Sequence, residues 1–315
     1  MYFIRDRIAF AAQTLETASE FVKEFPATVA VAFGFIFVQA VWVFVWLVCA
    51  YSVMNKLDQQ ATSNGVYGIV VFALLTSLYW GAQVFKNVVH VTAAGSFGTW
   101  YFLPESQMPP NPTVGAMKRA LSTSFGSICL GSLIVALIEA LKAMLNRMRR
   151  QENSFIACCA VCLLNCIESI VQYINSYAYT YCALYGQSYC DAARSTFELL
   201  GARGFDAVIN DDLTGPVLGL GMLIGGLVTG GLSYLIAEGS SDTTTSLKWA
   251  LLGFAVGMVC TLCAMEVVQS SIKALFVCFA EDPAAFARSK PQIYSKFAAA
   301  WSSRYGNDYI GAYAV

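Results

Sequence analysis

From Ala27 to Met54 the chain runs 28 residues without one Asp, Glu, Lys or Arg. A helix rises about 1.5 Å per residue, so this stretch is roughly 42 Å long and exceeds the roughly 30 Å hydrocarbon core of a bilayer. Water cannot solvate such a segment, and a chain of 315 residues is too small to wrap several of them in protein. Five further apolar stretches follow, with few ionisable groups in each: Tyr67 to Thr92, Ser124 to Leu145, Phe155 to Ala178, Pro216 to Ala237 and Leu247 to Phe279. Composition agrees, because 57% of residues are hydrophobic and only 12% are charged, about half the charge of a soluble domain. The sequence therefore predicts an all-α, polytopic α-helical membrane protein with six transmembrane helices in a bundle over residues 27–279, which lies in the lipid bilayer.

The remaining segments read as membrane-surface pieces. In residues 1–26, Ile8, Ala12, Leu15, Ala18 or Ser19, and Val22 recur on one helical face, which predicts an amphipathic interfacial helix stopped by Pro26. Residues 93–113 hold Pro104, Pro109, Pro110 and Pro112 and read as irregular. A surface helix is expected around Ala192 to Leu200, and residues 280–315 read as a polar tail, partly helical and then loose. Eleven Lys and Arg fall in the N-terminal segment, second loop, fourth loop and tail, against five in the other loops, which places both termini in the cytoplasm. Charged residues from Arg5 to Glu24 interrupt any signal-peptide core.

Several function classes drop out. A net charge of −1 without a clustered basic face offers nothing to nucleic acid. A single histidine, His90, excludes paired-histidine chemistry, and there is no H-E-x-x-H, G-x-S-x-G or P-loop, so no enzyme, metal or cofactor is expected. Of the eleven cysteines, nine (Cys49, Cys129, Cys158, Cys159, Cys162, Cys166, Cys260, Cys263 and Cys278), including the C-x-x-C pairs Cys159/Cys162 and Cys260/Cys263, sit in or beside apolar stretches and read as small buried hydrophobes. Seven glycines between Gly215 and Gly231 read as a helix-packing surface, and Asn210-Asp211-Asp212 as a cap before the helix they open.

Blocks of sequence then add a resemblance. Ile4-Arg5-Asp6-Arg7-Ile8-Ala9-Phe10-Ala11 resembles an R-x-R-I-P-F-A opening, with Ala9 where that motif has proline. Ser96-Phe97-Gly98-Thr99-Trp100-Tyr101-Phe102 is similar to an F-G-S-W-Y loop. Lys118-Arg119-Ala120 followed by Ser124-Phe125-Gly126-Ser127-Ile128-Cys129-Leu130-Gly131-Ser132 matches a long signature almost letter for letter, and Tyr177-Ala178-Tyr179, Ala183-Leu184-Tyr185-Gly186 and Val208-Ile209-Asn210-Asp211 match further blocks. In that order they resemble the choline transporter-like family, in particular its branch in microbial eukaryotes named for pH-nine sensitivity. The resemblance implies ten spans with both termini cytoplasmic, of which this chain corresponds to the last six, the first four being absent. It implies a plasma-membrane carrier moving a small organic cation such as choline by alternating access, through a cavity lined by the third, fourth and sixth spans. The competing expectation is a non-transporting membrane scaffold or a truncated, inactive transporter fragment. Assembly into an oligomer is left open.

Ionisable groups inside apolar spans are costly and mark candidate sites. Glu139 lies in the third span, Glu168 in the fourth and Glu266 in the sixth. Asn165, Gln172 and Tyr173 flank Glu168, and Gln269 follows Glu266. A quaternary ammonium has no N–H to donate and is held by aromatic faces beside a negative charge, so Tyr79, Trp80, Tyr173 and Tyr177 are candidate cage residues. The competing role for Glu139 is a pair with Lys142 three residues on, and Lys86 and His90 are expected to snorkel toward headgroups.

Overall fold

The computed structural model describes residues 2–59, 63–152, 155–202, 214–238 and 243–305. Its helices are α1 (Tyr2–Glu24), α2 (Ala27–Gln59), α3 (Asn64–Phe102), α4 (Pro112–Leu121), α5 (Phe125–Glu152), α6 (Phe155–Tyr185), α7 (Tyr189–Ala202), α8 (Thr214–Glu238), α9 (Thr243–Glu281), α10 (Pro283–Ser289) and α11 (Pro291–Tyr305), with a 3-10 turn at Glu105–Gln107. Six of them, α2, α3, α5, α6, α8 and α9, are long and apolar enough to cross a membrane, which is the number expected. The Asn210-Asp211-Asp212 cap lies outside the described residues.

Helix ends depart from the sequence reading where no residue forces a stop. Residues 93–102 were expected to be irregular but continue α3 without a break. The first residue in that stretch that opposes helix is Pro104, whose ring disfavours helical backbone at Leu103, and the helix ends beside it. The F-G-S-W-Y "loop" is thus the last turns of a 39-residue helix, about 58 Å long and far longer than a bilayer core requires. Helix α6 likewise runs past Ala178 to Tyr185, where Gly186 takes φ +66° and its N–H bonds the Cys182 carbonyl at 3.1 Å, a left-handed helix end that suits glycine.

The chain divides into two compact units. The first comprises Met1–Phe33, Ala93–Val114 and Leu199–Val315. In it α8 and α9 pack as an antiparallel pair along glycines. A Cβ on Gly226 would lie 2.7 Å from Met258, one on Gly230 3.0 Å from the Ala250 carbonyl, and one on Gly257 2.9 Å from the Gly225 carbonyl and against the Thr229 side chain. Thr229 Oγ1 donates across to the Gly253 carbonyl at 3.0 Å, a bond available only because the backbones meet so closely. Gly215, Gly219 and Gly231 face open space, so only part of the glycine run does this packing, and Gly253 and Gly257 of α9 complete it.

An aromatic core fills the rest of this unit. Phe21, Phe97, Trp100, Tyr101, Phe276, Phe286, Phe297 and Trp301 are fully buried. Tyr101 stacks on Phe286 with centroids 4.7 Å apart, Phe21 meets Phe97 edge-on at 5.2 Å, and Phe279 contacts Trp301 at 4.8 Å. Lys290, only 7% exposed, reaches Glu24 and Glu105 at 3.5 Å each and lies 5.4 Å from the Trp100 ring centre, while the Trp100 indole donates to Glu24 at 2.5 Å. The helical part of the tail is α10 and α11, and both are packed elements. Asp282 caps α10 by accepting from Ala285 N–H at 2.9 Å, with Pro283 at the first helical position.

Helix α1 is amphipathic, and the face it buries in the protein adjoins the apolar face of its periodicity, the two sharing Ala18. Ile8 is 57% exposed and Ala12 is exposed, whereas Phe10, Ala11, Thr14, Thr17, Ala18 and Phe21 are buried. Phe10 packs on Phe276, Phe297 and Trp301, and Glu16 pairs with Lys296 at 3.0 Å, so the face is chosen by aromatic partners in α9 and α11. The cysteine expectation also changes: Cys158, Cys159, Cys162, Cys166 and Cys260 are exposed, and only Cys182 and Cys278 are buried.

The second unit comprises Gly34–Thr92 and Gly115–Glu198. Trp46 of α2 donates its indole N–H to the Leu74 carbonyl at 3.1 Å and Ser77 Oγ at 3.0 Å on α3. Val84, Val88 and Val91 of α3 form a core with Ala120, Ile128 and Tyr179. Phe37, Val41, Phe44, Val48 and Tyr51 stand exposed along α2, the large apolar face that lipid solvates.

Two substitutions test this packing. Gly257→Ala is expected to lower the stability of the detergent-solubilised protein by about 1–3 kcal/mol through overpacking, with Gly219→Ala near neutral, both read by thermal melting. Trp301→Ala is expected to cost about 3–5 kcal/mol, because it empties a fully buried site, and a wild-type melting midpoint would contradict a packed tail.

Candidate functional site

Within the second unit, α3, α5 and α6 face one another along a polar seam. On α3 the residues are Gln83, Asn87 and His90, four and three positions apart and so on one helical face. Gln83 donates to Glu139 Oε1 of α5 at 3.1 Å, and Asn87 donates to Ser132 Oγ of α5 at 2.9 Å. His90 Nε2 lies 2.9 Å from the Ser176 carbonyl of α6 and 3.4 Å from Thr180 Oγ1. A carbonyl only accepts, so that bond assigns the imidazole proton to Nε2. At 3% exposure His90 is buried in the bundle and does not snorkel, in contrast to the expectation, while Lys86 is exposed. Further along, Ser132 Oγ is 3.4 Å from Tyr179 OH, Asn175 donates to the Gly131 carbonyl at 3.2 Å, and Tyr189 OH of α7 donates to Asn175 Oδ1.

The charged part of the seam is a cross-helix pair. Lys142 Nζ of α5 donates to Glu168 Oε2 of α6, and Gln172 Nε2 donates to Glu168 Oε1 at 3.1 Å. Glu168 is 8% exposed. A carboxylate at that depth calls for a counter-charge and filled oxygens, and these two donors supply both. Lys142 thus pairs with Glu168 rather than with Glu139 as spacing suggested. Glu139 is half-buried, takes the Gln83 amide, and lies close enough to Glu168, Lys142 and Lys86 for their charges to act on it.

The other candidates fall in several places. Asn165 and Gln172 are exposed on α6 with Cys158, Cys162, Cys166 and Ser169, on one continuous face of small and polar side chains. Leu163, Ile167 and Ile170 form the adjoining exposed apolar strip of the same helix. Tyr173 and Tyr177 meet edge-on at 5.4 Å, with Tyr177 buried. Tyr79 is half-buried, and Trp80, 38% exposed, spends its indole N–H on the Cys129 carbonyl at 2.9 Å. Glu266 and Gln269 are half-buried on α9 in the first unit, where Ser270 Oγ donates to the Glu266 carbonyl at 2.8 Å.

Sequence reasoning missed Gln83, Asn87, Ser132, Lys142 and Asn175 as members of the seam. The spacing of Gln83, Asn87 and His90 within an apolar run was the available signal. On α5 the charge of Lys142 within an apolar span was a signal of the same kind, while the choice of partner carried none, because a cross-helix contact depends on how two helices cross.

Two groups beyond the spans set an alkaline limit. Burial pushes the Tyr189 phenol above its ordinary value of 10.0, and the Glu16 carboxylate pushes Lys296 above 10.5. Each raised group supports the fold fully below its unfolded value and loses that support as pH rises through its folded value. Melting midpoints are therefore expected to fall above about pH 10, and Tyr189→Phe and Lys296→Gln should each flatten that fall.

A sequence profile described as plasma-membrane choline transporter matches residues 1–284. The chain is 37% identical over 306 residues to a CTL-like protein of Dictyostelium discoideum, covering 95% of this chain and 54% of that one. It is 35% identical over 316 residues to Protein PNS1 of Gibberella zeae, covering 92% and 58%, and 33% identical over 306 residues to Protein PNS1 of Debaryomyces hansenii, covering 90% and 60%. It spans a little over half the length of these curated relatives.

Proposed function

We propose that this chain, which belongs to the plasma-membrane choline transporter family, forms the solute pathway of a carrier for small organic cations of the choline type. The observation that supports it best is the exposed strip of α6 that carries Asn165, Ser169 and Gln172, leading to the buried Glu168 carboxylate. Lipid solvates faces such as Leu163, Ile167 and Ile170, while amides, hydroxyls and a carboxylate in a span suit an aqueous path or another helix. A quaternary ammonium needs negative charge and aromatic faces; Glu168 offers the charge, while Tyr173 and Tyr177, five and nine residues on, lie roughly 140° and 180° around α6 and would serve another part of the pathway.

In this reading the carrier works by alternating access at the plasma membrane. Glu139, Gln172 and Asn165 line the same pathway, with Tyr79 and Trp80 as further candidates in the second unit; Glu266 and Gln269 are candidates on α9 of the first unit taken by itself. The packing of α1 against α11 supports both ends lying on one side, and the excess of Lys and Arg there supports the cytoplasm. One observation favours the scaffold reading instead: Glu168 is already neutralised by Lys142, as a purely structural pair would be.

Uptake of radiolabelled choline in cells lacking their own choline carriers separates the two. Expression of the whole protein is expected to give saturable uptake, and Glu168→Gln to reduce it about tenfold or more at unchanged surface abundance. Uptake at the empty-vector level would leave the scaffold reading standing.

A further inference from the structure

We infer that Lys142 is a tethered counter-cation: it occupies Glu168 while the site is empty, and an arriving organic cation displaces it toward Glu139 on its own helix. The inference rests on the carrier reading above and names the residue that governs entry to the same site.

The argument begins with charge. Glu139 and Glu168 are two carboxylates in adjacent spans, and the ammonium bonded between these helices is that of Lys142. Lys86 acts on Glu139 from an exposed position on α3. As the structure stands, Lys142 and the Gln172 amide fill Glu168, and Glu139 is held by the Gln83 amide. A monovalent cation on Glu168 would release Lys142, and both carboxylates would then have a cation of their own. A neutral or anionic solute brings no such exchange, so the arrangement selects for positive charge.

Geometry permits the move. Glu139 precedes Lys142 by three residues on α5, so the two side chains share a helical face. Lysine carries a compact charge on a flexible four-carbon stem, which swings between acceptors without moving the backbone. Glu168 also borders the route by which a solute would come, because Gln172, which bonds it, lies on the exposed polar face of α6. The competing cation is therefore covalently attached beside the site. Apparent affinity for the solute is reduced by the fraction of time that Lys142 holds Glu168.

The test is binding of tritiated choline to the whole purified protein in detergent, with thermal melting to verify the fold of each variant. Lys142→Met and the milder Lys142→Gln, which keeps a donor for Glu168 without the charge, are expected to tighten apparent Kd about tenfold if the pair is formed nine-tenths of the time. Glu139→Gln, which removes the landing position, is expected to weaken binding several-fold. The exchanged pair Lys142→Glu with Glu168→Lys is expected to restore the melting midpoint and not the binding. Unchanged or weaker binding by a folded Lys142→Gln, with wild type binding normally, would overturn the role of Lys142 and leave the carrier reading intact. Absence of choline binding in wild type together with tight binding in Lys142→Gln would support it strongly. No binding in either folded protein would overturn the choline-type site and this inference with it.

Discussion

A polar group placed in hydrocarbon must find its partner inside the protein, and each unsatisfied one costs several kcal/mol. For the backbone this demands helices, and the spans α2, α3, α5, α6, α8 and α9 meet it. For side chains it demands pairing across helices, and the seam of Gln83, Asn87 and His90 with α5 and α6 is how the second unit meets it. The Lys142–Glu168 pair is the extreme case, because a carboxylate and an ammonium in apolar surroundings each need the opposite charge beside them. The same requirement that stabilises the bundle thus gathers its chemically active residues in one place.

The two ways of holding helices together differ sharply between the units. In the first, α8 and α9 use absence of side chain: glycines let the backbones approach until Thr229 bonds across. Beside them the ends of α1, α3 and α9 join α10 and α11 through bulk, with aromatic rings in contact from Phe10 to Trp301 and Lys290 set against Glu24, Glu105 and Trp100. Removing hydrophobic area from water is worth about 25 cal/mol per Å², so the large rings carry the stability of that region. Between lipid-embedded helices no such gain is available, and close packing with hydrogen bonding takes its place.

The motifs that carry the family resemblance are mostly packing residues. Phe97, Trp100 and Tyr101 build the aromatic core, Phe10 packs against Phe276 and Trp301, and Ile128, Gly131 and Ser132 meet Tyr179 or its neighbours. Glu139, Lys142 and Glu168 lie outside those blocks. Family membership and the candidate site are therefore supported by different residues, and the site is argued from burial and charge in this structure alone.

The number of spans and their lipid-facing character were legible in the sequence, because charge-free length is a one-dimensional property and hydrocarbon thickness sets its scale. So was the polar character of Glu139, Glu168 and Gln172, since a charge in an apolar run stands out wherever the helix points. Partner choice was not legible. Spacing paired Lys142 with Glu139, yet the crossing of α5 and α6 brought Glu168 to it; periodicity marked the apolar face of α1 through Ile8 and Ala18, and rings from α9 and α11 added the adjoining Phe10 face. Local pattern limits which faces a helix presents, but residues far apart in the chain meet only when whole helices pack, and that packing alone decides which charge neutralises which and which face is buried.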